Sequence, residues 1–402
     1  MMSILKKWNN LSLIIRILIG LIVGAILGLL CPELTGIAIL GKLFVAGLKA
    51  IAPVLVAVLV AASIAKAKGN IGSKFRVVIA LYMTSTLLAA FFAVLFSFLF
   101  PVTITLTEAV QGDSPSGLAE IFTNLLTNLV SNPVQAVASA NYLGVLFWAI
   151  IIGLALKMKA SEKTIQVVSD FSDTISHVVK WVIQCAPFGI LGLVFSSVSE
   201  CGLEIFTEYG KILALLVGCM LFSALIKNPA IVAVVTRMNP YPLVLRCLKE
   251  SGISAFFTRS SAANIPVNMD LCKRLGVEED FYSVSIPLGS TINMDGASVT
   301  ITVITLAVCN TLGIEVSFVQ AIILSILATL GACGTSGVAG GSLLLIPMAC
   351  SLFGISGDIA MQAVAVGFII SVIQDSMETA LNSSGDAIFT TTADIYAHRK
   401  NK

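Results

Sequence analysis

Four polar residues near the end of the chain are spaced so that they share one face of a helix. They follow one another at steps of four, three and four residues: Asp375, Thr379, Asn382 and Asp386. Side chains at positions i, i+3 and i+4 lie one above another on a helix. A carboxylate, a hydroxyl and an amide on one stripe suit a small zwitterion, with Asp375 taking its ammonium group and Asn382 donating to its carboxylate. The alternative interpretation is a polar seam between two helices.

The carboxylates in this part of the chain have no basic neighbour in the sequence. No Lys or Arg occurs between Arg274 and Arg399. Four acids fall in apolar segments of that stretch: Asp295, Asp375, Glu378 and Asp386. A buried carboxylate must be protonated, paired or balanced by an ion. Arg259 can pair with only one of them, so the surplus predicts cation sites, for which Asn293 and Thr291 offer the neutral oxygens that hard cations prefer. Proton-carrying acids and polar packing residues are the alternatives.

The composition indicates which kind of protein must position these residues. Of 402 residues, 57% are hydrophobic and only 11% are charged, whereas soluble domains carry about 25% charged residues. This composition excludes a soluble enzyme and a disordered chain. The net charge of +2 without a basic block gives no footprint for nucleic acid. We therefore expect an all-α polytopic membrane protein, with the lipid bilayer as its solvent.

Eight apolar runs predict eight transmembrane helices. They lie near residues 11–30, 37–65, 77–101, 143–156, 165–198, 207–236, 281–313 and 354–396. Basic residues in the loops that follow the even-numbered spans predict the cytoplasmic side; Lys227 and Arg237 are expected to close the sixth span there. The basic tail then predicts that both termini lie in the cytoplasm.

Two further apolar stretches, 240–278 and 316–352, are interrupted and predict re-entrant helical hairpins. The first is broken by a Ser-rich segment at 258–266, and the second by a Gly-rich segment at 331–342. Irregular backbone at membrane depth must be buried in protein or line a cavity. Each hairpin precedes a helix with buried Asn and Asp, a repeat that points to a transporter site near the midplane of the bilayer. Ordinary packing of small residues is the alternative.

The motifs resemble one known family. They are Arg259-Ser260-Ser261 with Pro266, then Pro287 to Gly296 ending in Asn-Met-Asp-Gly, then the Gly-rich hairpin and the stripe on the last helix. In span order, over almost the whole chain, they look like the dicarboxylate/amino acid:cation symporter family, and within it the sodium-dependent bacterial members that carry serine and threonine. The resemblance implies the glutamate-transporter-homologue fold with inverted repeats, a homotrimer, and an elevator movement of a transport domain against a scaffold. It also implies that the protein lies in a bacterial inner membrane.

The resemblance also implies a division of the chain and a set of site residues. Residues 1–236 are expected to be mainly scaffold, with spans 3 and 6 contributing to transport, and residues 237–402 to form the transport core. Substrate would be bound by Ser260, Ser261, Gly337, Val338, Asp375, Thr379 and Asn382. One sodium site would use Gly289, Asn293, Asn382 and Asp386. A deeper one would use Asn293 and Asp295 with Thr84 and Ser85, and a third the carbonyls of Thr291, Thr329, Leu330 and Ala332.

Two departures from the family pattern bear on specificity, and a third bears on the deeper sodium site. Members that carry acidic substrates have Arg where this chain has Glu378, and Thr where it has Ala297. A side-chain carboxylate of the substrate would therefore meet an acid, which predicts small neutral substrates with a hydroxyl group. The tyrosine expected three residues before Thr84 is Leu81, while Tyr82 is expected to point elsewhere.

The leading hypothesis is a sodium-coupled importer of serine and threonine. A variant of this hypothesis is a transporter, coupled to sodium ions or protons, that carries other small amino acids or dicarboxylates. A ligand-gated channel is an alternative from another class. An intramembrane enzyme is a third possibility, but the sequence offers no arrangement of nucleophile and base for it.

Overall fold

The computed structural model describes residues 11, 13–66, 73–106, 130–139, 141–333 and 340–400. Within these ranges every regular element is helical, which confirms the predicted all-α class. The helices of the front half are α1 (Leu13–Leu30), α2 (Ala38–Lys66), α3 (Ser73–Leu99), α4 (Pro133–Ala138), α5 (Tyr142–Lys159), α6 (Glu162–Gln184) and α7 (Ala186–Cys201).

The rear half is cut into more and shorter pieces. Its helices are α8 (Ile205–Phe222), α9 (Asn228–Thr236), α10 (Tyr241–Cys247), α11 (Ile253–Thr258), α12 (Ser261–Arg274), α13 (Glu279–Ile292), α14 (Asp295–Thr311), α15 (Phe318–Ala332), α16 (Ile346–Ser351) and α17 (Gly357–Lys400). Two π-helical turns, Ser223–Lys227 and Leu248–Gly252, join α8 to α9 and α10 to α11.

Four helical stretches of the described residues are long and apolar enough to cross a membrane. They are Lys74–Leu99, Phe206–Thr236, Glu279–Thr311 and Gly357–Arg399. The pair α6 and α7, bent by 50°, counts as a fifth if it forms one span. Several shorter apolar helices accompany them. The protein therefore has several helices fit for a bilayer, and the count of eight stays a prediction.

The sixth predicted span contains a charge that we expected in a loop. The helix runs from Phe206 to Thr236 through the π-helical turn, and Lys227 lies nine residues before its end. Its side chain is 2% exposed. Pro229 does not end the helix, since a proline at the start of the next helical segment needs no backbone N–H. The expectation that Lys227 lies in a cytoplasmic loop is therefore wrong.

The first interrupted segment is a pair of helices folded back on each other. Helix α11 ends at Thr258, Arg259 takes a positive φ of 52°, and Ser260 caps α12 by accepting from the Ala263 N–H at 3.2 Å. The second arm returns along the first, because the side chain of Asn264 donates to the Ser251 carbonyl at 3.2 Å. The predicted break is confirmed as a break between helices; its re-entry into a membrane stays a prediction.

The second interrupted segment also folds back. Met348 of α16 lies against Gly331 of α15, so closely that a Cβ there would fall 2.4 Å from the Met348 Cε. The tip of this hairpin, residues 334–339, lies outside the described residues, and with it the predicted substrate contacts Gly337 and Val338.

Packing in the front half depends on glycine. Helices α1 and α2 approach α7 so closely that a Cβ at Gly24 would fall 2.5 Å from the Leu191 carbonyl oxygen, and one at Gly192 2.4 Å from the Gly41 nitrogen. We call Gly20, Gly24, Gly41 and Gly192 the glycine seam. Small residues allow helix backbones to meet in this way, so the front half is joined largely without polar side chains.

Candidate substrate and cation site

The break between α13 and α14 carries the predicted sodium ligands to α17. The amide of Asn293 donates to the Asp386 Oδ1 and to the Asn382 carbonyl oxygen, both at 3.0 Å. Gly289 faces the same point, because a Cβ there would fall 2.9 Å from the Asp386 Oδ1. The structure thus brings together Gly289, Asn293, Asn382 and Asp386.

Two acceptor oxygens at this point have no donor among the described residues. They are the Asn293 Oδ1 and the Asp386 Oδ2, and both side chains are fully buried. A buried acceptor without a partner costs free energy, more so when it carries charge. Amide and carboxylate oxygens are the ligands that a hard cation takes. The arrangement is therefore suited to bind such a cation.

Tyr82 of α3 supports this cluster from the other side. Its hydroxyl lies 2.8 Å from the Thr390 Oγ1 and donates to the carbonyl oxygens of Ser285 and Asp386, at 3.2 and 3.3 Å. The side chain is fully buried. The expectation that Tyr82 points elsewhere is therefore wrong.

The register of α3 also differs at Asp295. The residues that touch this carboxylate are Ser85, whose hydroxyl donates to Oδ2 at 2.7 Å, and Thr86, whose hydroxyl donates to Oδ1 at 3.3 Å. Thr84 is exposed on another face of α3. The predicted set for the deeper site is therefore off by one position in this helix. With Tyr82 three residues before Ser85, the expected tyrosine is present after all.

Asp375 is paired with the tip of the first hairpin. The Arg259 Nε donates to its Oδ2 at 2.6 Å, and the Gly340 N–H donates to its Oδ1 at 3.0 Å. The two side chains of the ion pair are 5–7% exposed. Both hairpins therefore meet the last helix at the residue predicted to hold an ammonium group.

Glu378 lies one turn further along α17 and receives neutral donors. Its Oε2 accepts from the Gln374 Nε2 at 2.6 Å, the Thr300 Oγ1 at 2.7 Å and the Ser342 Oγ at 2.8 Å. Its backbone lies against Gly296, where a Cβ would fall 2.7 Å from the Glu378 Cα. Ala297, the other predicted specificity residue, is fully buried beside this glycine in α14.

The remaining residues of the stripe are anchored to the backbone. The Asn382 Oδ1 accepts from the Gly296 N–H at 2.7 Å, and the Thr379 hydroxyl donates to the Asp375 carbonyl at 2.7 Å. On the hairpin, Ser261 is buried and Ser260 is partly exposed. These contacts hold the stripe in place beside the hairpin tip.

The predicted carbonyl site is brought together only in part. Cys333, directly after α15, has its thiol 3.5 Å from the Ile292 carbonyl oxygen, so the end of α15 lies beside the end of α13, where Thr291 is. Thr329 and Ala332 are buried, whereas Leu330 is 40% exposed. Their predicted role as carbonyl ligands stays a prediction.

Sequence reasoning missed several residues that contact the four acids: Lys227, Tyr82, Thr86, Thr300, Ser342 and Gln374. Lys227 could have been found, since it falls inside the predicted sixth span. Gln374 could have been found from its spacing of four residues before Glu378. The hydroxyl residues could not, because many Ser and Thr in these helices only bond to their own backbone.

Comparison with known proteins adds a family to this geometry. Residues 13–395 match the model of the sodium:dicarboxylate symporter family. The chain is 56% identical over 394 residues to the serine/threonine transporter SstT of Bifidobacterium adolescentis, which covers 98% of this chain and 92% of the relative. It is 54% identical over 396 residues to the serine/threonine transporter SstT of Streptococcus agalactiae, covering 98% of both. The match spans the two folded-back segments, the break between α13 and α14 and the last helix, and the chain belongs to the sodium:dicarboxylate symporter family.

Proposed function

We propose that the protein imports serine and threonine together with sodium ions, through alternating access of the elevator type. The observation that carries this proposal is the pair of buried acceptor oxygens on Asn293 and Asp386, which lie beside the polar stripe of α17. Relatives named serine/threonine transporters, at 54–56% identity, support the same substrates. As a member of a symporter family, the chain is a transporter and not an enzyme.

The substrate is expected to bind between the hairpin tips and α17. Its ammonium group would be taken by Asp375, and this requires Arg259 to give up the carboxylate oxygen that it now holds. Its carboxylate would meet Asn382 and backbone N–H groups at the start of α12, near Ser260 and Ser261, where the helix dipole favours negative charge.

The side chain of the substrate would lie toward Glu378. An acidic side chain would be repelled by this carboxylate, whereas a hydroxyl group can donate to it. The donors that Glu378 already has are the side chains of Gln374, Thr300 and Ser342. They leave the Oε1 of the carboxylate for such a hydroxyl. Serine and threonine are the small amino acids that carry one.

The sodium ion is expected at Asp386, as cargo that enters and leaves with the substrate. Gly289, Asn293 and Asn382 would supply the neutral oxygens around it. The third set of ligands, the carbonyls of Thr291, Thr329, Leu330 and Ala332, is part of the same proposal. This third site would lie where the end of α15, the first arm of the second hairpin, meets the end of α13.

The membrane arrangement belongs to this proposal too. It comprises eight spans, two re-entrant hairpins, cytoplasmic termini, a homotrimer and a bacterial inner membrane, with residues 1–236 mainly as scaffold. The long apolar helices and the two folded-back segments support it. The elevator movement would shift residues 237–402, together with spans 3 and 6, along the remaining helices of residues 1–236.

The test is serine uptake by proteoliposomes that hold the purified protein. With an inward sodium gradient, labelled serine should accumulate above its external concentration, and replacing sodium by choline should abolish accumulation. Threonine should compete, and aspartate should not. Accumulation that persists in choline would contradict the sodium coupling, and flux that never exceeds equilibrium would indicate a channel.

A further inference from the structure

The carboxylate of Asp295 already holds a positive charge that belongs to the chain. The Lys227 Nζ donates to the Asp295 Oδ2 at 2.7 Å, and the two side chains are 2% and 0% exposed. With the Ser85 and Thr86 hydroxyls, both carboxylate oxygens of Asp295 have donors. Asp386 differs, since its Oδ2 has no donor among the described residues.

The ammonium group of Lys227 is fully coordinated by oxygen. Besides the carboxylate, it donates to the Ser85 carbonyl oxygen and to the Ser85 Oγ, both at 2.8 Å. An ammonium has three N–H donors, and all three are used. A carboxylate, a hydroxyl and a backbone carbonyl are also the set of ligands that would hold a hard cation.

The local backbone directs Lys227 to this place. It is the last residue of the π-helical turn Ser223–Lys227, in which the helix takes an extra residue before α9 begins. Such turns occur often at functional sites, because they turn a side chain onto a different face. The distortion of the helix and the ion pair with Asp295 therefore lie at the same residue.

A sodium ion does not fit at Asp295 beside this lysine. The sodium ion would need the same oxygen atoms that accept from the ammonium group. Two positive charges bound to the same oxygen atoms repel each other. The residues therefore do not support the deeper sodium site that the family resemblance implies for Asn293 and Asp295.

We infer that the Lys227 ammonium is a tethered cation that replaces one transported sodium ion at Asp295, so that the protein couples to one ion fewer than a chain with an open site there. The inference rests on the proposed sodium coupling, since it sets the number of ions in that cycle. It also predicts what removal of the lysine does: the same oxygens become a sodium site.

The test compares Lys227→Met with the wild type by thermal unfolding in detergent, as sodium chloride replaces choline chloride at constant ionic strength. Methionine keeps most of the length of the lysine and removes the charge. A ligand that binds the folded state raises the melting temperature as its concentration rises. Lys227→Met should gain several degrees more from sodium than the wild type does, and the sodium dependence of its serine uptake should steepen by about one in Hill coefficient.

Two further variants keep the test decisive. In Lys227→Met/Asp295→Asn, the negative charge is gone as well, so the response to sodium should return to that of the wild type. Lys211→Met removes an exposed lysine from α8 and should change neither measurement.

A Lys227→Met protein whose response to sodium equals that of the wild type would overturn the inference. So would one that fails to fold even at high sodium while the double variant folds, because sodium then does not replace the ammonium. A wild type without any sodium response would overturn the proposed function. The ion count would fall with it, so the wild-type response tests the proposed function and the difference between Lys227→Met and the wild type tests the tethered cation.

Discussion

The helices of the front half pack against one another by different interactions from those of the rear half. In the front half, the glycine seam allows the backbones of α1 and α2 to lie in direct contact with the backbone of α7. In the rear half, α17 carries and contacts buried acids, amides and hydroxyls, which we call the polar core: Asp295, Asp375, Glu378, Asn382 and Asp386 with their partners. The front interface therefore fails when volume is added, and the rear one when a charge or a partner is removed.

This difference separates stability from ion chemistry. The seam contributes packing and presents no titratable group. The buried acids of the polar core, by contrast, are compensated in three different ways. Asp295 and Asp375 have a basic partner, Glu378 has neutral donors, and Asp386 has an oxygen with no donor among the described residues. Substitutions in the two halves should consequently have distinct signatures.

The largest effect is expected from Asp386→Asn in the polar core. Losing a charged ligand costs about 3 kcal/mol, so the sodium concentration for half-maximal serine uptake should rise by about 100-fold. Asp358→Asn, at the exposed start of the same helix, is the control and should leave uptake unchanged. A wild-type sodium dependence in Asp386→Asn would remove this residue from the cation site.

In the glycine seam, Gly192→Ala should lower stability without changing the sodium dependence. The new methyl group would lie 2.4 Å from the Gly41 nitrogen, and overpacking of this kind costs about 1–3 kcal/mol. Gly210→Ala is the matched control, because no described atom lies within 4 Å of a Cβ there. Thermal unfolding in detergent compares the two; equal melting temperatures would contradict the close approach of α2 and α7.

Glu378→Gln tests whether the polar core selects against acidic substrates. The amide keeps an acceptor oxygen for Thr300 and Ser342 but removes the repulsion of a substrate carboxylate. The aspartate concentration that halves serine uptake should fall about tenfold, equivalent to about 1.4 kcal/mol. Glu315→Gln, an exposed acid just before α15, should not change it. Unchanged exclusion of aspartate would show that specificity arises elsewhere.

The smallest effect is expected from Tyr82→Phe. The change removes one buried hydroxyl that bonds to the backbone beside Asp386, at a cost of about 1 kcal/mol in stability. The sodium concentration for half-maximal uptake should rise about fivefold. Tyr241→Phe removes an exposed hydroxyl instead and serves as control. If both variants behave alike, Tyr82 does not support the site.

The sequence predicted the helical class and the stripe on α17, because hydrophobic runs and helical spacing are local properties. It also predicted the cluster of Asn293 with Asp386, through motifs that a family resemblance makes specific. The prediction for the residues around Asp295 was off by one position in α3. The side chains that face Asp295 are Ser85 and Thr86, and Thr84 is exposed. A short polar run such as Thr84 to Thr86 does not reveal which of its hydroxyls faces inward.

Lys227 was misread for a related reason. Basic residues near the end of an apolar run predict a cytoplasmic loop, whereas the structure shows that the helix continues and that the charge meets Asp295. Pairing over 68 residues of sequence leaves no local pattern. The four acids and some candidate partners could be found in the sequence, but which partner meets which acid could not.

The buried pair of Lys227 and Asp295 finally bears on how far the protein can concentrate its substrate. Each sodium ion that accompanies a substrate brings about 2.3 kcal/mol for every 100 mV of membrane potential, which corresponds to a concentration ratio of about 50-fold. A cation that is part of the chain returns with the protein in every cycle, so no net charge is transferred and it brings none of this. The maximal ratio of internal to external substrate would therefore be lower than with one more coupled ion. One sodium ion fewer would enter the cell with every molecule imported.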